Sequence, residues 1–149
     1  MDETGQACLA DFGLLTIISD SENGLSSTSG SQGGTVRWMS PELIDPERFG
    51  FERVRPTKSS DCYALGMVMF ETISEKLPFD GRTGFAVLLK VVNGERPRRE
   101  AKFEESLWKM LGLCWSARPS DRPSVEEVLD CLEITSNLQE LTAQVGVAF

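Results

Sequence analysis

Four short motifs contain the residues of this sequence that could do chemistry, and they are spread over most of its 149 residues. In chain order they are Asp11-Phe12-Gly13, Trp38-Met39-Ser40-Pro41-Glu42, Asp61 with Gly66 five residues later, and Arg118-Pro119-Ser120-Asp121-Arg122-Pro123. The chain contains no histidine, which excludes a histidine base, a histidine zinc ligand and a Ser-His-Asp triad within these residues. Taken alone, Asp-Phe-Gly is weak evidence, because a strand that ends in a turn has the same composition.

The composition is that of an ordinary globular chain, with 40% hydrophobic and 26% charged residues. Fifteen Lys and Arg against 23 Asp and Glu give a formal net charge of −8. Binding of nucleic acid without sequence preference needs clustered basic residues, so the acidic excess argues against it. No uncharged apolar run approaches the roughly 20 residues that a membrane span needs. Neither nucleic acid nor a membrane is therefore an expected partner.

The cysteines and the N-terminal residues indicate the cellular compartment of the protein. Cys8, Cys62, Cys114 and Cys131 stand singly in apolar stretches without CxxC spacing, which predicts small buried residues of a reducing compartment rather than a zinc site. The first residues, Met1-Asp2-Glu3, are acidic, unlike a signal peptide or an Arg-rich transit peptide. We expect an intracellular, cytoplasmic protein.

The elements that must position the motifs are mainly helical. A short β element is predicted at residues 7–10 and 14–17, before a polar loop at residues 19–34, and Ser40 with Pro41 begins a short helix. Longer helices are predicted at residues 59–75, 83–93 and 103–114, and a fourth begins at Ser124 and loses its pattern after about Ser136.

Apolar patterning predicts what these helices bury. Ser59 is expected to cap the first, which is uncharged from Cys62 to Phe70 and should be buried on all faces. Ser124 and Glu127 form a predicted capping box. The apolar stripes are Phe85, Leu88, Leu89 and Val92 in the second helix, Leu107, Met110, Leu111 and Cys114 in the third, and Val125, Val128, Leu129 and Leu132 in the fourth.

The order and spacing of the motifs resemble a known pattern over residues 5–135. Asp-Phe-Gly, Trp-Met-Ser-Pro-Glu, Asp61, Pro78-Phe79, Cys114-Trp115 and the Arg-Pro ending follow one another as in the C-terminal lobe of a eukaryotic protein kinase. The resemblance implies a mainly α, protein-kinase-like C-lobe, comprising helices EF to I of that family, with a short β element at its N-terminus. It implies a partial kinase domain at residues 1–136, with an activation segment (11–42), a helical lobe (43–136) and then a tail (137–149).

The resemblance also indicates a subgroup. Arg37-Trp38-Met39 and the Cys-Trp…Arg-Pro ending are similar to the tyrosine-kinase-like branch. Gly34-Thr35 stands where tyrosine kinases usually have a proline, which favours Ser or Thr as the phosphoacceptor. Residues 7–14 resemble expanded kinase families of mushroom-forming fungi.

Roles for the activation segment follow from the resemblance. Asp11 would bind the Mg²⁺ that bridges the β- and γ-phosphates of ATP. Phe12 would link the two lobes, and Gly13 would let the backbone switch between active and inactive settings. The hydroxyl of Thr35 would steady the catalytic loop. The Ser/Thr-rich loop before it would be either a phosphorylated, regulated segment or an unmodified polar loop.

The remaining site residues would contact the substrate or stabilise the lobe. The segment next to a protein substrate would comprise Arg37, Trp38 and Met39. The resemblance implies that Glu42 forms a buried ion pair with Arg122, and that Asp61 accepts hydrogen bonds from the catalytic-loop backbone. The alternatives are that Glu42 and Arg122 are solvated surface charges and that Asp61 is a first-turn partner of the helix dipole.

Several kinase elements do not occur in these 149 residues: the Gly-rich loop, the lysine-bearing strand and the His-Arg-Asp catalytic loop. We expect that these residues include no catalytic residue, because the catalytic-loop Asp would lie upstream of Met1 and the N-lobe would be absent. A truncated gene model or an alternative start is the expected reason. The exposed face where the N-lobe would sit would then be an aggregation-prone or partner-binding surface. Two functions stay open: part of a Ser/Thr kinase that uses ATP and Mg²⁺, or a non-catalytic, pseudokinase-like protein-interaction module.

Overall fold

Every regular element in the described part of the chain is helical. The computed structural model describes residues 36–52 and 55–145, with side chains up to residue 137. The elements are α1 (Pro41–Ile44), a 3₁₀ turn (Glu47–Phe49), α2 (Lys58–Ser74), α3 (Gly84–Val92), α4 (Glu105–Cys114), a second 3₁₀ turn (Pro119–Asp121) and α5 (Val125–Val145). No strand occurs in these residues, which confirms the mainly α class. The predicted β element lies outside them, as do Asp11, Phe12, Gly13 and Thr35.

Helix α2 begins one residue earlier than predicted and has a different cap. The hydroxyl of Thr57 accepts a hydrogen bond from the backbone N–H of Ser60 (3.2 Å), and the hydroxyl of Ser60 accepts one from the N–H of Thr57 (2.8 Å). This reciprocal box satisfies two donors, which a cap at Ser59 could not do without a polar partner three residues later. The prediction that Ser59 caps the helix is therefore wrong.

Helix α2 supplies the centre of the core. It packs against α4, and α4 packs against α5. Tyr63 and Phe70 are buried, and Phe70 stacks on Phe103 with ring centroids 5.4 Å apart and planes at 8°. Phe103 belongs to the loop before α4, not to that helix as predicted. Burial on all faces of α2 is also wrong, because Val68 is 48% exposed.

A glycine sets the separation of α2 and α4. A Cβ added to Gly66 would lie 2.8 Å from Cβ of Cys114 and 2.8 Å from Nε1 of Trp115. Real side chains do not approach so closely, so only a hydrogen at position 66 permits this packing. The Cys114-Trp115 motif is therefore the surface against which Gly66 packs.

Two apolar stripes are only partly buried. In α3 the buried residues are Val87 and Val91, whereas Phe85 of the predicted stripe is 72% exposed. In α5 Val128 is buried, and the prediction that Val125 and Leu129 are buried with it is wrong: they are 53% and 51% exposed. Both helices carry apolar residues on more than one face, so periodicity alone did not choose the buried face.

The predicted start of α5 is confirmed. The N–H of Ser124 donates to the Glu127 carboxylate (2.7 Å), and the N–H of Glu127 donates to the Ser124 hydroxyl (3.2 Å). The helix continues to Val145, beyond the point near Ser136 where the sequence pattern weakens. Among the helices that the structure describes, none has the length and hydropathy needed to cross a membrane.

Candidate functional site

Val36 is buried and residues 37–39 are half-buried, and Arg37 fixes this segment to the lobe. Its Nη1 donates to the carbonyl oxygens of Pro78 (2.7 Å) and Phe79 (3.0 Å), and its Nη2 donates to that of Arg82 (2.5 Å). The planar guanidinium carries five donors in a fixed arrangement, so a single side chain can bind three carbonyls of one loop. Arg37 thereby joins this segment to the loop between α2 and α3.

The loop held by Arg37 contains an unfavourable backbone conformation. Phe79 has φ of 56°, in the left-handed region that non-glycine residues rarely adopt. Such a conformation costs on the order of 1–3 kcal/mol and persists only where its surroundings hold it. The hydrogen bond from Arg37 to the Phe79 carbonyl is one such restraint.

Trp38 fixes the same segment to α2. Its Nε1–H donates to a carboxylate oxygen of Glu71 at 3.0 Å, and its ring packs against the hydrophobic core. Met39 is half-buried. Of the three residues expected to contact a substrate, Arg37 and Trp38 thus have their polar groups engaged with the lobe itself, where they position the segment.

Glu42 of α1 and Arg122, at the end of the 3₁₀ turn before α5, form a buried ion pair. Both carboxylate oxygens accept hydrogen bonds from the guanidinium, each at 2.7 Å. The two side chains are 3% and 0% exposed. Arg122 also donates to the carbonyl oxygens of Ser59 (2.9 Å) and Ser116 (3.0 Å). Burial has the largest single effect on Glu42 and would raise its pKa, but the hydrogen bonds from Arg122, its own backbone and Ser40, together with the positive charge of Arg122, hold that pKa below its ordinary value.

The pair extends into a stack that the sequence analysis missed. Tyr63 is fully buried, and two guanidinium groups lie over its ring, with Cζ of Arg122 5.1 Å and Cζ of Arg96 5.3 Å from the ring centroid. Arg96 donates to the carbonyl oxygens of Trp115 (2.9 Å) and Val91 (3.2 Å). Burial raises the pKa of Tyr63 to about 12. The sequence analysis did not single out Arg96, because its contacts with Tyr63 and Trp115 join residues that are distant in the sequence.

Of the other predicted site residues, Asp61 is exposed and the rest lie outside the residues that the structure describes. Asp61 lies in the first turn of α2 with an exposed side chain, and its expected contact with a catalytic loop stays a prediction. Asp11, Phe12, Gly13 and Thr35 lie outside the described residues, so their roles also stay predictions. Within residues 36–52 and 55–137, no three His, Cys, Asp or Glu side chains are placed to hold a metal.

Comparison with known sequences identifies the family of this helical lobe. The family model for protein tyrosine and serine/threonine kinases matches residues 1–132. The chain belongs to the protein kinase family, whose members use ATP and Mg²⁺ to phosphorylate proteins.

Curated relatives have similar sequences over most of this chain. It is 36% identical over 134 residues to the dual specificity protein kinase pyk3 of Dictyostelium discoideum, covering 89% of this chain and 9% of that protein. Identity is 33% over 129 residues with the serine/threonine/tyrosine-protein kinase HT1 of Arabidopsis thaliana, covering 84% and 29%. It is 31% over 153 residues with receptor-interacting serine/threonine-protein kinase 3 of Rattus norvegicus, covering 93% and 29%. The chain spans less than a third of each of these relatives.

Proposed function

We propose that this chain forms the helical C-terminal lobe of a kinase of the tyrosine-kinase-like branch, whose complete domain transfers the γ-phosphate of ATP to protein Ser or Thr. The anchoring of residues 36–39 carries the proposal, since Arg37 binds three carbonyls of the α2–α3 loop and Trp38 binds Glu71. Phosphoryl transfer depends mainly on positioning, so a peptide substrate needs a rigid surface beside its phosphoacceptor.

The choice of Ser or Thr rests on Gly34-Thr35 in place of a proline. It is supported by relatives whose names include serine/threonine, such as receptor-interacting serine/threonine-protein kinase 3. Arg37-Trp38-Met39 supports the tyrosine-kinase-like branch, and residues 7–14 support a fungal source. The free thiols of Cys62, Cys114 and Cys131 agree with the proposed intracellular location.

Asp11 is the proposed Mg²⁺ ligand in the complete domain. A carboxylate is a hard oxygen donor of the kind that Mg²⁺ prefers, and the bound ion would neutralise charge on the ATP phosphates. Phe12 would link the two lobes, and Gly13 would let the backbone switch between active and inactive settings. Thr35 would hold the catalytic loop beside the segment anchored by Arg37.

An exposed face of this lobe is the proposed contact surface for the rest of the kinase domain. The exposed carboxylate of Asp61 in the first turn of α2 supports this placement, because in the proposed complete domain the catalytic-loop backbone would cover it. The second candidate function is a non-catalytic, pseudokinase-like interaction module. The presence of Asp11, Glu42 and Arg122 together favours the kinase, since only a catalytic role requires the metal ligand.

A phosphotransfer assay tests the proposal on a polypeptide that contains this chain within a complete kinase domain. Asp11→Asn should abolish transfer to Ser and Thr peptides while circular dichroism stays unchanged, because the amide is isosteric but a poor Mg²⁺ ligand. Asp130→Asn, an exposed position on α5, is the matched control and should retain full activity. Predominant tyrosine phosphorylation would contradict the Ser/Thr assignment. Undiminished activity of Asp11→Asn would contradict the metal role, and an inactive parent protein would favour the interaction module.

A further inference from the structure

A pocket of about 320 Å³ opens beside the loop that Arg37 holds. Its walls are the end of α2, the α2–α3 loop, α3 and the α3–α4 loop. Five basic and three acidic residues line it, although the whole chain has a formal charge of −8. The pocket is therefore a local concentration of positive charge on an acidic protein.

Most of the carboxylates in the pocket are already neutralised. Lys76 pairs with Glu100 at 2.9 Å, and Lys90 pairs with Glu95 at 2.5 Å. Asp80 is the third acid and lies near enough to Lys76 to raise the pKa of that amine, after the larger effect of Glu100. These contacts leave the remaining basic side chains as the source of the net charge.

Two arginines of the pocket are free to bind a ligand. Within the described residues, the exposed guanidinium groups of Arg82 and Arg98 have no carboxylate within ion-pairing distance and no hydrogen-bond acceptor. Arg96, by contrast, is occupied by carbonyls and by the ring of Tyr63. Two free guanidinium groups at one pocket suit carboxylate or phosphate oxygens, which arginine can bind through paired hydrogen bonds.

The pocket is connected to the candidate substrate segment through a backbone contact. The carbonyl of Arg82 accepts a hydrogen bond from Arg37 at 2.5 Å. The free Arg82 side chain is therefore attached to backbone that Arg37 holds against residues 36–39. A peptide lying on that segment would have its flanking residues within reach of the pocket.

We propose that this pocket binds an acidic side chain, a carboxylate or a phosphate, in the protein substrate near its phosphoacceptor, with Arg82 and Arg98 as the specificity-determining residues. The proposal rests on the proposed function. It assigns to the kinase a preference for acidic sequences, which the net charge of the whole chain would not suggest.

Peptide binding to the 149-residue chain without ATP tests this inference separately from catalysis. Fluorescence anisotropy would compare a labelled serine peptide flanked by three glutamates with its glutamine counterpart and with a phosphoserine version. The acidic peptides should bind more tightly than the glutamine peptide, and the difference should shrink as salt screens the charges. Arg82→Gln and Arg98→Gln should each weaken acidic-peptide binding by about two- to fivefold, as for other exposed charge pairs.

Arg118→Gln is the matched control, since it removes the same charge at an exposed site that does not line the pocket. Equal binding of the acidic and glutamine peptides, or equal losses in Arg98→Gln and Arg118→Gln, would overturn the inference. Complete displacement of the peptide by an equimolar amount of inorganic phosphate would also overturn it, because that marks a site for free anions. A negative result here leaves the phosphotransfer test of the proposed function unaffected.

Discussion

Arg122 joins parts of the lobe that are far apart in the sequence. Its guanidinium binds Glu42 through both carboxylate oxygens and also binds the carbonyls of Ser59 and Ser116. The burial of both charges makes each dependent on the other, because an unpaired charge in the protein interior is strongly unfavourable. The segment that begins at Val36 is thereby connected through α1 to the start of α5.

Loss of this pair should destabilise the lobe severely. Arg122→Ala leaves Glu42 buried without its partner, so we expect a loss of about 3–5 kcal/mol in the free energy of unfolding. Such a loss is large beside the 5–15 kcal/mol typical of domains, so the variant should be insoluble or unfolded. Urea denaturation checks this, with the exposed Arg118→Ala as a control that should change stability little. Equal unfolding midpoints for the two variants would show that the pair contributes nothing.

Tyr63 should make the folded state sensitive to alkali. Its pKa is raised by burial from 10.0 to about 12, so the folded chain retains the phenolic proton in a range where the unfolded chain releases it. Stability from this group is fully present below pH 10 and is lost as pH rises toward 12, by about 2–3 kcal/mol. Urea denaturation at rising pH would measure that loss.

Tyr63→Phe is the matched variant for this measurement, because it retains the ring over which the two guanidinium groups lie and removes only the titrating hydroxyl. That hydroxyl has no hydrogen-bond partner among the described residues. The variant should lose less stability between pH 10 and 12 than the parent. Since the chain contains one tyrosine, phenolate absorbance reports Tyr63 alone, and a transition near pH 10 in the folded protein would contradict the expectation.

The packing of α2 on α4 depends on how closely the two helices approach each other along their contact. Gly66 of α2 faces Cys114 and Trp115 at the end of α4, and the rings of Trp115 and Phe70 meet edge to face with centroids 6.1 Å apart. Bulk at position 66 would have to separate two helices whose other side chains are already in contact. The glycine thus determines how closely the central helix approaches its neighbour.

Gly66→Ala should destabilise the lobe by about 1–3 kcal/mol, because the added methyl group overpacks the interface by more than the gain in helix propensity offsets. Gly112→Ala is an internal control: it lies in α4, and a Cβ there would meet nothing within 4 Å. That variant should be more stable than the parent by up to about 1 kcal/mol. Thermal unfolding of both proteins gives the comparison, and stabilisation by both substitutions would contradict the close packing at Gly66.

At the scale of the whole molecule, the 149 residues contain only part of the proposed catalytic apparatus. Asp11 is the single proposed metal ligand, and the sequence includes no Gly-rich loop, nucleotide-binding lysine or His-Arg-Asp motif. Mg²⁺ with one protein carboxylate keeps most of its water ligands and binds weakly. Weak nucleotide binding is therefore the expectation for these residues on their own.

We expect the isolated chain to have no measurable kinase activity and to bind Mg-ATP no more tightly than about millimolar. Isothermal titration calorimetry measures the affinity, and Asp11→Asn should change it little because the parent already binds weakly. Low-micromolar binding by the parent chain would contradict the expectation and would assign nucleotide contacts to residues with no recognised motif.

The sequence by itself determined the family and the main helices, because motif order is preserved along the chain whatever the packing. The pairing of Glu42 with Arg122 was implied by the resemblance to protein kinases, and the structure shows that pair buried. Local signals also predicted the box at Ser124 and Glu127, because capping depends on residues only three positions apart. The Ser59 cap was wrong because Thr57 had a better-placed partner within the same turn.

Only the tertiary structure decided which apolar faces are buried and which polar side chains hold residues 36–39 in place. Phe85 and Val87 are equally apolar, and the neighbours that bury Val87 are distant in the sequence. Arg37 binds carbonyls more than 40 residues away, and such acceptors belong to every residue, so no side-chain pattern predicts them. Contacts of this kind form only when the loops are brought together, which local periodicity does not encode.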